Sequence, residues 1–279
     1  MEMKEEKIQR LRILSNKIRK DILELTFHAG KNGAHIGGAF SSAEILAVLY
    51  GEILKVSPEL PYGPERDRFI LSKGHTAVGL YAALFEKGFL TQSDFESFEK
   101  NGGILPAHCV ENQEKGIELS SGSLGMGLSF GVGCALSGKR TQASYRVFVL
   151  MGNGECNEGC VWESVMLAAQ QGLDHLVAII DCNKMQLDGN SQQIIDLFNL
   201  DQIFLSFGWN MFRLNGNKVE ELLNVLENIP KNGKPTVLIA DTVKGKGCSF
   251  MEGIAEFHHA VITQEQYDLA IKELENNGI

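Results

Sequence analysis

Residues 145–183 decide the fold, and they read YRVFVLMGNGECNEGCVWESVMLAAQQGLDHLVAIIDCN. Two apolar runs, Tyr145 to Met151 and His175 to Asp181, flank a segment from Asn157 to Gln171 that has the spacing of a helix. Both runs are short and apolar on both faces, as are the strands of a parallel sheet that is buried on both sides. We therefore expect an α/β fold, in which helices cover both faces of a parallel sheet.

The flanking regions continue this alternation of strands and helices. We predict a short strand over Arg68 to Leu71 and another strand over Thr236 to Ala240. We find no internal repeat, low-complexity tract or linker, so we expect residues 1–279 to form a single domain. The remaining predicted elements are a helix over 1–29, a glycine-rich loop over 30–38, a helix from a capping box at 41–44 to about residue 54, a helix over 76–87, a short helix after Thr91, a helix from the glycine-rich segment 120–133 to Ser137, a helix over 201–207, a strand over 209–214, a helix over 219–229, and a last helix that begins at Thr263 with Gln266 as its capping partner.

The composition excludes several classes of protein. Of the 279 residues, 44% are apolar and 22% are charged, which is typical of a globular chain rather than a disordered one. The 35 acidic and 26 basic side chains give a formal charge of −9 without a polybasic run, which argues against nucleic acid as the main partner. No apolar run is long enough to span a membrane, and the charged N-terminus does not resemble a signal peptide. Six cysteines without a CxxC pair indicate reduced thiols, so we expect a cytoplasmic protein.

The two central strands end in unusual polar residues. Gly152-Asn153-Gly154-Glu155 follows the first strand, and Asp181-Cys182-Asn183-Lys184-Met185 ends the second. The carboxyl ends of neighbouring parallel strands meet at one edge of a sheet, where α/β proteins bind ligands. Glycines let backbone N–H groups approach an anion, and amide and carbonyl oxygens suit a hard cation. The two segments therefore predict a site for a diphosphate and a magnesium ion; the alternative is an ordinary glycine turn between a strand and a helix.

This arrangement resembles the thiamine-diphosphate motif, in which Gly-Asp-Gly precedes a helix and an Asn follows the next strand. Here Gly152-Asn153-Gly154 is followed by Asn183 about 30 residues later. Further segments make the chain similar to the N-terminal domain of the transketolase family over nearly its whole length. The matching segments, in chain order, are GAHIGG (33–38), DRFILSKGH (67–75), PAH (106–108), GSLGMG (122–127), WE (162–163) and VKGKG (243–247), which His258 follows.

The resemblance to transketolases implies roles for four histidines. His75 and His258 would contact the diphosphate or the reacting carbonyl end of the substrate. His35 and His108 would form hydrogen bonds with the hydroxyls of a sugar. His259 could exchange roles with His258, and the sequence leaves both alternatives open.

The resemblance also implies which residues hold the cofactor, thiamine diphosphate, and its metal. Leu124 and the neighbouring glycines would let the cofactor's ring lie against backbone, and Met126 stands where the family often has Gln. Glu158 matches an acid that lies between two cofactor sites in the family; the alternative is a solvated glutamate in a first helical turn. The expected ligands of Mg²⁺ or Ca²⁺ are Asn153, Asn183 and Met185; the expected cofactor contacts are His75, Gly122, Ser123, Leu124, Gly152, Gly154, Glu155, Asn183, Lys244 and His258; the expected catalytic residues are His35, His75, His108, His258 and Glu158.

The chain departs from the family pattern in two ways. Asn153 stands where the family has a metal-binding Asp, which keeps a ligand oxygen but removes a negative charge beside the cation. The chain also ends where the family's first domain ends. The pyrimidine-binding domain, with the glutamate that activates the cofactor and the arginines that bind sugar phosphate, would have to come from another chain. We therefore expect this chain to be inactive by itself.

The resulting expectation is one subunit of a transketolase-like enzyme. With a separate C-terminal subunit, in a heterotetramer, it would transfer a two-carbon ketol unit from a ketose phosphate to an aldose phosphate. One alternative is a degenerate assembly subunit without activity, which Asn153 favours. Another is a component of a related synthase of deoxysugar phosphates. A Rossmann dinucleotide-binding protein is disfavoured because no GxGxxG follows the strands.

Overall fold

A computed structural model describes residues 2–276, and within this range five strands form one sheet. The strands are β1 (Arg68–Leu71), β2 (Val147–Gly152), β3 (Leu176–Cys182), β4 (Asn210–Asn215) and β5 (Thr236–Asp241). They lie in the order β1-β2-β3-β5-β4, and each neighbouring pair is parallel. The predicted α/β fold with a parallel sheet is confirmed.

Helices connect the strands and lie on both faces of the sheet. Helix α3 continues as a π-helical turn over Leu49–Ile53. Within residues 2–276, no helix is long and apolar enough to cross a membrane. The helices are α1 (Glu2–His28), α2 (Ile36–Ser41), α3 (Ala43–Val48), α4 (Ala77–Lys87), α5 (Gln92–Glu96), α6 (Met126–Thr141), α7 (Gly159–Gln170), α8 (Ser191–Ile194), α9 (Leu200–Ser206), α10 (Val219–Glu227) and α11 (Gln264–Asn276).

Two apolar clusters form because side chains alternate between the two faces of each strand. On β2, Phe148 and Leu150 join a cluster with α1 to α4 and α10. Val147, Val149 and Met151 point to the opposite face and join a cluster with α6, α7 and α9. All of these β2 side chains are fully buried, which explains why the strand is apolar at every position.

Most predicted boundaries lie within a few residues of the observed ones, and two predicted helix starts are confirmed by their caps. The Thr263 N–H donates to Gln266 Oε1 at 3.0 Å, and the Gln266 N–H donates to Thr263 Oγ1 at 3.2 Å. Thr91 and Asp94 form the corresponding pair at α5. Helix α6 ends at Thr141, further along the chain than predicted.

The predicted capping box at residues 41–44 is wrong. Ser41 is the last residue of α2, and its hydroxyl donates to Asp181 Oδ2 at 2.6 Å. Both Glu44 oxygens instead accept hydrogen bonds from the Arg19 guanidinium, at 2.6 Å each. Both side chains of this ion pair are buried, and a buried cation without a counter-charge costs more free energy than an uncapped helix end. The partner that decides the role of Glu44 is therefore distant in sequence.

The register of the sheet brings the two predicted polar segments together. Gly152, at the end of β2, is paired with Asp181 near the end of β3. The Asn153 N–H donates to Asp181 O at 3.2 Å, which extends the pairing by one residue. The predicted juxtaposition of these two strand ends is confirmed.

Candidate active site

A cavity of about 480 Å³ lies at the carboxyl ends of β2 and β3. His35, His108 and Ser123 do not line it. The wall also includes Gly38, Lys73, Asp181 and Gln186, for which the sequence predicted no role. The predicted site residues that line the cavity are His75, Gly122, Leu124, Gly152, Asn153, Gly154, Glu155, Glu158, Asn183, Met185, Lys244 and His258.

In the turn after β2, the residue at position 154 is limited to glycine by lack of space rather than by an unusual backbone conformation. Neither Gly152 nor Gly154 has a positive φ. A Cβ at Gly154 would lie 2.7 Å from Cγ of Gln186, too close for any side chain unless Gln186 moved. The Gln186 amide is held in place because its Nε2 donates to Asn157 Oδ1 at 2.9 Å. Gly154 therefore lets the segment after β3 pack directly against the turn.

Two asparagines bring amide oxygens to the cavity. The Asn153 Nδ2 donates to Ser191 Oγ at 2.6 Å. The Asn183 side chain spans a turn: its Nδ2 donates to Asp181 Oδ2 at 3.1 Å, and its Oδ1 accepts from the Met185 N–H at 3.1 Å. In this turn Lys184 has a positive φ of 62°. Hydrogen bonds thus hold both amides in place at the cavity wall.

The donor set fits a magnesium ion that is shared with a diphosphate. Within residues 2–276, no group of three or more His, Cys, Asp or Glu side chains is arranged to hold a metal. A cation would therefore depend on the Asn153 and Asn183 amide oxygens and the Met185 carbonyl. Mg²⁺ commonly takes few protein ligands and completes its octahedral shell with phosphate oxygens and water. The amide and carbonyl oxygens are hard donors that suit Mg²⁺, but they lack the carboxylate that protein Mg²⁺ sites usually contain, so the negative charge beside the cation would come from the diphosphate.

Asp181 is the buried centre of the hydrogen-bond network under the cavity. Its Oδ2 lies 2.6 Å from Lys73 Nζ, and the two side chains are 0% and 2% exposed. The hydroxyl of Ser41 donates to Asp181 Oδ2, and that of Thr242 donates to Oδ1. These roles were missed from the sequence, although a carboxylate that ends an apolar strand and a lysine that follows another are signals that could have found them.

Lys244 places a second buried ammonium group at the cavity. Its Nζ donates to Gln186 O at 3.2 Å and lies 3.2 Å from His258 Nδ1, and both of these partners are neutral. Burial lowers the pKa of Lys244 to about 8; nearby Asp181 opposes this shift, and Lys73 adds to it. A buried cation whose hydrogen-bond partners are all neutral favours an anionic ligand.

The predicted histidines form one cluster. The ring centre of His35 lies 5.4 Å from those of His75 and His108, 5.3 Å from that of His258 and 4.7 Å from that of His259. His75 and His258 stack at 5.2 Å. Burial, with help from neighbouring positive groups, lowers the pKa of His35 to about 3, of His75 to about 2 and of His258 to about 4. These three rings are therefore neutral at pH 7 and can donate or accept hydrogen bonds.

The structure separates the positions of His258 and His259. His258 lines the cavity and contacts Lys244, whereas His259 is exposed and packs against His35. His108 is also exposed, so the cluster extends from the cavity to the surface. A ligand that lay along these rings would meet buried nitrogens first and solvent-accessible ones further out.

Glu155 joins the two glycine segments of the site. Its Oε1 accepts hydrogen bonds from the Gly125 N–H at 2.7 Å and the Ser72 hydroxyl, and its Oε2 accepts from the Gly152 N–H at 3.1 Å. Burial raises the pKa of Glu155, and these hydrogen bonds oppose the shift. The carboxylate is used by the chain's own donors, so Glu155 holds the turn after β2 against the segment before α6. Glu158, by contrast, is exposed at the start of α7.

Comparison with protein families identifies this architecture. A family model described as "Transketolase, thiamine diphosphate binding domain" matches residues 9–277. The chain is 40% identical to one of the subunits of the apulose-4-phosphate transketolase of Phocaeicola vulgatus, over 97% of this chain and 99% of that protein. It is also 40% identical to the 6-deoxy-6-sulfo-D-fructose transketolase subunit SqwG of a Clostridium species, over 95% of this chain and 96% of that protein.

Solved structures of larger transketolases contain the same fold. Transketolase from Campylobacter jejuni superposes with a TM-score of 0.86 and 27% identity, over 97% of this chain and 43% of that one. Transketolase from Leishmania mexicana superposes with a TM-score of 0.89 and 25% identity, over 95% of this chain and 41% of that one. The chain therefore spans about two fifths of these solved transketolases but nearly all of the subunit-sized relatives.

Proposed function

Since this chain belongs to the transketolase family, in which it corresponds to the thiamine-diphosphate-binding domain, we propose that it is the N-terminal subunit of a split transketolase. Residues 1–279 would form a single domain that joins a separate C-terminal subunit in a heterotetramer. Relatives of the same length that are named as subunits support this proposal. The six free thiols support a cytoplasmic enzyme.

Within this proposal the cavity holds the diphosphate and its cation. The Lys244 ammonium would bind a diphosphate oxygen, and the neutral rings of His75 and His258 would donate hydrogen bonds beside it. Asn153, Asn183 and the Met185 carbonyl would ligate Mg²⁺. When bound, thiamine diphosphate supplies the nucleophilic carbon and the electron sink that ketol transfer requires.

The histidine cluster would bind the sugar. His35 and His108 lie outside the cavity; His35 packs against His75 of the cavity wall, and His108 packs against His35, where both could form hydrogen bonds with substrate hydroxyls. His35 is neutral at pH 7 because burial lowers its pKa, so it can act as donor or acceptor toward a hydroxyl. The reaction would move a two-carbon ketol unit from a ketose phosphate to an aldose phosphate.

The observation that carries this proposal is the convergence of Lys244, His75 and His258 with the glycine turn and two asparagines on one cavity. The test is an assay of ketol transfer with thiamine diphosphate and magnesium, for this chain alone and with its partner subunit. We expect turnover only with both chains. Asn183→Ala removes one proposed metal ligand, and it should abolish turnover while the complex still assembles. Robust turnover by the chain alone would contradict the proposal.

The substrate panel follows from the relatives. Apulose 4-phosphate and 6-deoxy-6-sulfo-D-fructose, which appear in the names of the similar subunits, are the first donors to test.

Asn153 supports a second candidate function, an assembly subunit without activity, because it removes a charge at the metal position. A complex that assembles but neither binds cofactor nor turns over any donor would favour that second function. Formation of a deoxysugar phosphate from the same mixtures would point to the related synthase.

A further inference from the structure

Asn217 joins two segments that carry polar groups of the cavity. It lies between β4 and α10, directly after Gly216. A Cβ at Gly216 would lie 2.6 Å from Cγ2 of Thr242, so the glycine lets this connection approach the end of β5 closely. The Asn217 side chain is half-buried there and is outside the cavity wall.

Each polar atom of the Asn217 amide has a partner in a different segment. The Nδ2 donates to Ser41 O at 3.1 Å and to Glu44 Oε2 at 2.9 Å. The Oδ1 accepts from the Val243 N–H at 2.9 Å. One side chain thus connects the α2–α3 junction with the loop after β5, and an amide is suited to this because it offers both donors and an acceptor.

Both connected segments contribute directly to the site. The Ser41 hydroxyl donates to Asp181, which in turn pairs with Lys73. Val243 directly precedes Lys244, whose ammonium lies at the cavity. The position of one buried ammonium relative to the other therefore depends in part on the Asn217 amide.

The amide is itself held by a rigid neighbour. Glu44 forms a two-point ion pair with Arg19, and these residues are 7% and 6% exposed. Gly247 covers this pair: a Cβ there would lie 3.2 Å from Cδ and 3.3 Å from Nε of Arg19, and its φ is 103°. A fixed ion pair gives Asn217 a fixed acceptor, which is what positioning of a ligand-binding group requires.

From this geometry we propose that Asn217 is a positioning residue that holds Lys244 and the Ser41–Asp181 pair in the arrangement that receives the cofactor's diphosphate. The role rests on the proposed function, because it assumes that the cavity binds thiamine diphosphate. Asn217 contacts neither cofactor nor substrate. It acts through Val243 and Ser41.

The test compares cofactor affinity with stability in the full chain. Thiamine diphosphate is titrated by calorimetry at fixed Mg²⁺, well below the melting temperature, into the wild type, Asn217→Ala and the isosteric Asn217→Asp. We expect affinity to fall about five- to tenfold in Asn217→Ala; the variant loses three hydrogen bonds, but these act on the cofactor only indirectly, so the effect on binding should be about that of one direct hydrogen bond. Asn217→Asp should also bind more weakly, because its carboxylate cannot donate to Glu44 and repels it.

Asn16→Ala is the matched control. The Asn16 Nδ2 donates to Leu274 O at 2.8 Å, and Asn16 does not line the cavity of the candidate site. This variant should lower the melting temperature without a change in cofactor affinity. If both Asn217 variants bound cofactor like the wild type, or if Asn16→Ala weakened binding as much as they do, Asn217 would have only a structural role. A wild-type chain that bound no cofactor at all, alone or with its partner subunit, would instead overturn the proposed function, and the role of Asn217 with it.

Discussion

The variant Asp181→Asn tests the buried ion pair beneath the cavity. Lys73 and Asp181 lie 2.6 Å apart and are almost completely buried. In the variant the ammonium would keep Gly38 O at 2.8 Å and Ser42 Oγ at 3.3 Å as acceptors, but both are neutral, so no carboxylate would remain in direct contact with its charge. Removal of one partner of a buried pair costs about 3–5 kcal/mol, and 1 kcal/mol shifts Tm by about 2–4 °C in a domain of this size. We therefore expect Tm to fall by roughly 6–20 °C.

Thermal melting followed by circular dichroism gives Tm, and urea unfolding followed in the same way gives the free energy of unfolding and its dependence on urea. Glu220→Gln is a control, because Glu220 pairs with Arg12 at 3.2 Å on the exposed surface and should contribute less than about 1 kcal/mol. Lys73→Met in the Asp181→Asn background should restore part of the lost stability, since no unpaired charge would remain. A loss below about 1 kcal/mol in Asp181→Asn, or further destabilisation by Lys73→Met, would refute the reasoning.

Three further predictions concern the metal position, the histidines and pH. Asn153→Asp should tighten magnesium-dependent binding of thiamine diphosphate, because a carboxylate adds charge beside the cation; unchanged or weaker binding by calorimetry would show that residue 153 is not a metal ligand. In the assembled enzyme His75→Ala should lower kcat strongly, whereas His108→Ala should raise the KM for sugar more than it weakens cofactor binding; equal losses of cofactor affinity would contradict this division. Burial raises the pKa of the Asp21 carboxyl from 3.8 to about 8, so the folded chain holds this proton more tightly than the unfolded chain. The resulting contribution to folding stability is complete below pH 3.8 and is lost as the pH rises toward about 8. Asp21→Asn should therefore raise Tm near pH 8 and change it little near pH 4, and melting curves at the two pH values with the opposite order would contradict the assignment.

Local sequence patterns predicted most secondary-structure elements because these depend on neighbouring residues. The strand β2 is apolar at every position since both faces are covered, and Thr263 with Gln266 caps α11 through contacts three residues apart. The same local rule failed at Ser41 and Glu44. Their side chains bind Asp181 and Arg19, which lie far away in sequence, and a capping pattern contains no information about such partners.

The sequence by itself determined the α/β fold and, through its resemblance to transketolases, the identity of most residues that line the cavity. Spacing along a strand and the order of motifs are properties of the linear sequence, so they can be recognised without coordinates. Only the tertiary structure decided how those residues are held. The Lys73–Asp181 pair joins residues 108 positions apart, and Asn217 reaches Ser41 across 176 positions. The first contact joins the segment directly after β1 to β3, and the second joins the β4–α10 connection to the end of α2. Burial at these places makes each charge and amide depend on a partner that no local pattern specifies.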